Sequence, residues 1–310
     1  MINKLILLLP VALLLLTSCN DVTNTSAAQT SSISAELLQE QTLLDEYQLE
    51  LIDVSGQVRG TSGTPIANAQ ITIQDTVLMT LSDADGFFSF PQVPRENSLL
   101  EISAAGYRGE LVPVYLQFPA SQVSVMIPSI ILNIHNTNSS RMLFGGDVAL
   151  GRRYLDPLEV TPSNQIPVDD PNALILASDP EPGTRNVLSL LRPFYQQADW
   201  GVFNFETPVT NAPDTPHPTK SFVFYTLPDS LAAINWLGVD YVTLGNNHVF
   251  DYLDAGLEDT LAFLNNANIP FSGAGINSAA AFLPFIQSIN HYDYGFLSMT
   301  SVTGNEHEAS

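Results

Sequence analysis

The chain has 310 residues, 45% of them hydrophobic and 9% aromatic, which is apolar material for about two packed domains. Ten Lys and Arg stand against 32 Asp and Glu, a formal charge of −22. A surface of that sign repels nucleic-acid phosphates and anionic lipid headgroups, so nucleic acid is excluded as a partner, while a small phosphorylated ligand is not.

Lys4 opens the chain with a positive charge, Leu5 to Leu16 form an apolar run broken by Pro10, and Leu16-Thr17-Ser18-Cys19 follows. The run is too short for a membrane-spanning helix, which needs about 20 residues. Residues 1–19 resemble a bacterial lipoprotein signal with its lipobox. The resemblance implies lipidation of Cys19, a membrane lipid anchor and an extracytoplasmic place in the cell envelope. Cys19 is the chain's only cysteine, so no intramolecular disulfide forms.

Residues 20–50 read as a tether, rich in Ser, Thr, Asn and Ala to about Ser34 and poor in burial material. Leu37, Leu44, Tyr47 and Leu51 then carry the spacing of a short amphipathic helix over Ala35 to Glu50. From residue 51 to 135 brief alternating runs, such as Ala69 to Ile73 and Phe88 to Phe90, are separated by Gly, Pro and Asp-rich turns, which predicts a small antiparallel β-sandwich. Gly56-Gln57-Val58, Thr64 to Ala69, Ser82 to Phe88 and Ala105-Gly106-Tyr107 resemble the carboxypeptidase regulatory-like domain. The run Asp83-Ala84-Asp85-Gly86 lacks the later ligands of a calcium loop and reads as a hairpin turn.

After the polar linker Asn136 to Ser140, the pattern becomes strand, helix, strand over residues 141–310. Met142 to Phe144, Trp200 to Phe203 and Tyr241 to Leu244 read as buried strands, with Ile269 to Phe271 and Tyr294 to Met299 as further strands. Helices are expected over Val187 to Gln197, Pro228 to Leu237 and Asp254 to Asn266. Leu231, Ile234 and Leu237 line one helix, and Leu257, Leu261 and Leu264 another. Crossovers of this kind join mostly parallel strands, so the fold class is α/β.

Each of the first three strands stops where chemistry begins: Gly145-Gly146-Asp147, Asn204-Phe205-Glu206 and Gly245 to Asp251. Ligands of open α/β sheets bind at the carboxyl ends of strands, and carboxylate, amide and imidazole donors suit a divalent metal. The same residue types also serve as turn caps and surface polarity when taken singly.

Gly146 to Arg152, Asn204-Phe205-Glu206, Asn246 to Tyr252 and Gly256 to Leu261 resemble the CapA family of poly-γ-glutamate capsule synthesis proteins, relatives of the calcineurin-like metallophosphatases. The resemblance implies a layered α/β/β/α metallophosphatase-like domain and a site for a divalent metal, Mn, Zn, Fe or Mg. It implies Asp147, Glu206 and Asn247 as metal ligands and His248 as catalytic acid. Asn204, Asn246 and Asp251 would orient them, and Arg152 would meet a substrate anion or form a surface ion pair. Ala149 stands where the phosphatase Asp-x-His signature has histidine, and Leu253 where a glycine is common. His135, His217, His291 and His307 do not supply the later histidine loops of those enzymes, so the domain reads as incomplete at its C-terminus. The implied partner is an extracellular polyanionic polymer or its biosynthetic complex, and the alternative is a non-catalytic envelope assembly or binding protein.

Overall fold

The computed structural model describes residues 50–151 and 173–302. Cys19, Arg152, His307 and the expected helix over Ala35 to Glu50 lie outside them, apart from Glu50 itself. The chain divides into two compact units, Met1–Ile134 and His135–Ser310.

The first unit is built from β1 (Leu51–Gly60), β2 (Gln70–Ile73), β3 (Met79–Leu81), β4 (Phe87–Pro94), β5 (Ser98–Ser103), β6 (Glu110–Val114), β7 (Ser124–Met126) and β8 (Ile130–Leu132). One sheet runs β4-β1-β7 with β8 also on β1, and the other runs β3-β2-β5-β6. Ile52, Val54 and Val58 alternate inward along β1 and meet Ile71, Ile73, Leu100 and Ile102 of the other sheet in one apolar cluster. The unit departs from the antiparallel expectation in one respect. β1 is ten residues long, and β7 and β8 each lie parallel to a different part of it.

Asp83 to Gly86 is indeed a turn. The Asp83 carboxylate accepts from the backbone N–H groups of Asp85 and Phe87, at 2.9 and 2.8 Å. It joins β3 to β4, which lie in different sheets, and so is not a hairpin.

In the second unit four parallel strands, β9 (Met142–Val148), β10 (Trp200–Phe205), β11 (Tyr241–Thr243) and β12 (Phe271–Ser272), stand in the order β12-β11-β10-β9. Between them run α1 (Pro180–Leu188) and α2 (Arg192–Gln197), α3 (Ser230–Leu237), and α4 (Leu253–Asn266). Phe203 and Phe205 of β10 join Leu231, Ile234, Leu237, Leu257, Leu261 and Leu264 in the main core. Trp200 and Val202, alternating with them, join Tyr241 under an antiparallel hairpin, β13 (Phe285–Ile289) and β14 (Tyr292–Phe296). Helices therefore cover one face of the sheet and the hairpin covers the other.

Four expectations are corrected. The helix expected over Val187 to Gln197 begins at Pro180 and is interrupted by a 3-10 turn over Ser189–Leu191. Pro180 and Pro193 each sit in a first helical turn, where a missing N–H costs nothing. Pro228 lies just ahead of α3, and Gly238 closes that helix with left-handed backbone. The first strand is not buried, since β9 has a neighbour on one side only among the described residues and Phe144 is 66% exposed. The strand expected over Tyr294 to Met299 is the second arm of the hairpin, whose turn residues Asn290 and His291 take φ of 46° and 74°.

Candidate functional site

Asp147 reaches the rim of the sheet through an irregularity in its strand. Val202 of β10 pairs with Phe144 and Asn204 with Asp147, so β9 spends one more residue than its partner over this stretch. The extra length falls at Gly145-Gly146, and both glycines are required. A Cβ on Gly145 would collide with the hydroxyl of Tyr195, and Gly146 has φ of +72°. The bulge brings Asp147 opposite the end of β10, where Asn204 and Glu206 project.

Asn204 joins these strand ends. Its amide nitrogen donates to Asp147 Oδ1 at 2.8 Å and lies 3.2 Å from Glu206 Oε1. Its oxygen accepts from the Thr243 hydroxyl at 3.0 Å and from Asn246 Nδ2 at 3.1 Å. Glu206 holds its proton above the usual carboxylate range, first because burial penalises its charge and then because Asp147 repels it. The positive form of His248 and the Asn204 amide oppose that rise, and Asp251 adds to it.

Asn246, 4% exposed, uses its whole amide on the scaffold. Its nitrogen also donates to the Phe205 carbonyl at 2.9 Å, and its oxygen accepts from the His248 backbone N–H at 2.9 Å. The His248 ring then turns to Asp251, with Nδ1 2.8 Å from Oδ2. Asp251 has no exposed surface and also accepts from Lys220 Nζ at 2.8 Å and the Phe224 backbone N–H at 2.6 Å. Phe224 packs against the imidazole, with ring centroids 4.2 Å apart.

One hydrogen-bonded network thus contains Asp147, Asn204, Glu206, Asn246, His248 and Asp251. Asn247 enters it through its backbone carbonyl, which accepts from Lys220. Lys220, Phe224 and His217 were not legible as parts of the site. His217 is 3% exposed and its backbone N–H donates to the Asp251 carbonyl at 2.8 Å. These groups lie about 25 to 35 residues from their partners in a Pro-rich segment without periodic pattern, and the only hint was a lysine standing in a strongly acidic chain. Leu253, where the resemblance expects glycine, adopts φ of +54°, a backbone that glycine takes without strain.

Two like-charged carboxylates sharing one amide donor, with Glu206 disfavouring its charge, are the arrangement a cation relieves. Among the described residues no three His, Cys, Asp or Glu side chains gather as a metal cage. The two carboxylates offer such a cation a pair of hard oxygen donors. A cavity of about 660 Å³ opens beside Gly245 and Asn246, between Asp254 and Glu258 of α4 and the loop Gly273 to Ser278. Among the described residues its walls do not include Asp147, Glu206 or His248.

The family described as Bacterial capsule synthesis protein PGA_cap matches residues 141–310, and the Carboxypeptidase regulatory-like domain matches residues 53–125. The chain is 26% identical over 123 residues to the PGA biosynthesis protein CapA of Bacillus subtilis (strain 168), across 39% of this chain and 32% of that protein. It thus spans about a third of that relative's length. Among solved structures, a type II cohesin–X-dockerin complex from Acetivibrio cellulolyticus aligns at 18% identity with a TM-score of 0.22, over 26% of this chain and 56% of that one. The 3-chlorocatechol 1,2-dioxygenase of Rhodococcus opacus 1CP aligns at 10% identity and 0.23, over 28% and 61%. Likenesses at these TM-scores carry no argument.

Proposed function

The chain belongs to the PGA_cap family of bacterial capsule synthesis proteins, and on that premise we propose that it acts in synthesis, release or export of an extracellular polyanion through a metallophosphatase-type site. The polymer is poly-γ-glutamate or a related capsule polymer, and the protein is a cell-envelope lipoprotein anchored through Cys19. The α/β/β/α layering of the metallophosphatases and a sandwich for the first unit belong to this reading. Its main support is the Asn204 amide shared by Asp147 and Glu206, in the same network as the His248–Asp251 pair.

Asp147, Glu206 and the amide oxygen of Asn247 would hold the divalent ion, Mn, Zn, Fe or Mg. Such an ion polarises a phosphoryl oxygen and lowers the pKa of a bound water to about 7. The protein's own groups do the rest. Asn204 holds the two carboxylates in register, and Asn246 fixes the backbone of the loop that carries His248. Asp251 engages His248 at Nδ1, so Nε2 is the nitrogen that takes up a proton from water to give the doubly protonated ring and then passes that proton to a leaving oxygen. Arg152 follows the same motif and would meet the substrate anion.

A non-catalytic assembly or binding role is favoured by one observation, the lack of a His, Cys, Asp or Glu trio among the described residues. Metal analysis of the purified full chain separates the two. The enzymatic reading expects stoichiometric metal and hydrolysis of bis(p-nitrophenyl) phosphate, both lost in Asp147→Ala. Metal-free protein, with polymer export unchanged in Asn247→Ala, gives the assembly role instead.

A further inference from the structure

We propose that Lys220 is the positioning residue of this site, fixing the tautomer of His248 by holding Asp251 and the Asn247 carbonyl. The consequence for turnover rests on the phosphoesterase reading above, whereas the tautomer does not.

The segment from His217 to Phe224 fastens onto the loop from Asn247 to Asp251 by successive contacts. The His217 N–H donates to the Asp251 carbonyl at 2.8 Å. Lys220 Nζ donates to the Asn247 carbonyl and to Asp251 Oδ1, and the Phe224 N–H donates to Asp251 Oδ2 at 2.6 Å. The Phe224 ring then covers the imidazole. Asp251 is wholly withdrawn from water, and a carboxylate so placed is costly unless an opposite charge and hydrogen bonds offset it. Lys220, 17% exposed, supplies that charge from outside the 247–251 loop.

The geometry has a consequence at the imidazole. A carboxylate is an acceptor only, so the ring nitrogen facing Asp251 Oδ2 must carry hydrogen. The Nδ1–H tautomer keeps its lone pair on Nε2, the nitrogen not bound to Asp251. Lys220 occupies Oδ1 and so leaves Oδ2 facing His248. Without the ammonium, Oδ1 loses its anchor, the Phe224 N–H alone holds the carboxylate, and the ring samples both tautomers.

The test is nitrogen-15 NMR of the imidazoles in the labelled full chain, treated with chelator and held about two pH units above the ordinary histidine value. A His248→Asn spectrum assigns the signal. Wild type should place the His248 proton on Nδ1, Lys220→Met should show both tautomers, and Lys220→Arg should restore the first. With bis(p-nitrophenyl) phosphate and added Mn²⁺, Lys220→Met should lower kcat about 10- to 100-fold and leave KM within about twofold. Lys220→Gln, which keeps a donor, replaces Lys220→Met if near-UV circular dichroism shows that variant unfolded. A Lys220-dependent tautomer in a wild-type protein that hydrolyses nothing supports the positioning role and removes the phosphoesterase reading. A folded Lys220→Met protein whose His248 proton stays on Nδ1 overturns the positioning role, whatever the wild type hydrolyses.

Discussion

Asn204 donates toward two carboxylates and accepts from Thr243 and Asn246, so one amide spans the ends of three strands. Truncating it to Ala takes an acceptor from the Thr243 hydroxyl and from one N–H of Asn246, and removes the hydrogen bonds that offset repulsion between Asp147 and Glu206. Losses of this kind cost about 1 kcal/mol each where the groups are partly exposed. Asn204→Ala should therefore lower unfolding stability by about 1–3 kcal/mol in urea titrations. Asn204→Asp should cost more, because it places a third carboxylate among the first two. The motif marked Asn204 as an orienting residue, and the network makes it the central one. Lys220 left no comparable mark, because its role depends on a loop 27 to 31 residues away.

The strands and helices of the second unit follow from apolar spacing, and the connections between them need side-chain chemistry that spacing does not show. Asp240, in the turn between α3 and β11, accepts from the Gly201 N–H at 2.7 Å and so ties that turn to β10. Burial raises its pKa above the usual carboxylate value, and the Gly201 bond only partly opposes this. A raised carboxylate means that the native state binds the proton more tightly than the unfolded chain does. The stability it contributes is complete below the unfolded value of about 3.9 and is lost as pH rises through the raised native one. Asp240→Asn keeps an acceptor for Gly201 without the charge. Thermal melts should show it more stable than wild type at pH 7 and not at pH 3. The same limit on spacing explains α1. Pro180, Pro182 and Gly183 look like loop residues, yet Gly183 lies so close to the Leu174 carbonyl that no side chain fits there, and a first helical turn tolerates proline.

At the scale of the molecule, the first unit has one apolar cluster and the second has two, and no cluster draws residues from both units. The fragment from Glu50 to Ile134 should therefore fold alone and unfold in one cooperative step by circular dichroism in urea. Ile102 is fully buried there, and Ile102→Ala should cost that fragment about 2–5 kcal/mol. A non-cooperative fragment would mean that its sheets need the rest of the chain. Among the described residues no helix is long and apolar enough to cross a membrane.

Sequence by itself determined the α/β class and the succession of three strands with Asp147 within the first, Glu206 just after the second and His248 in the loop after the third, since periodicity and turn residues are local properties of a chain. Tertiary structure alone decided that the Gly145-Gly146 bulge sets Asp147 against Asn204, and that Lys220 closes on Asp251. Those contacts join residues far apart in sequence, and the free energy that selects them arises only when the partners are brought together out of water.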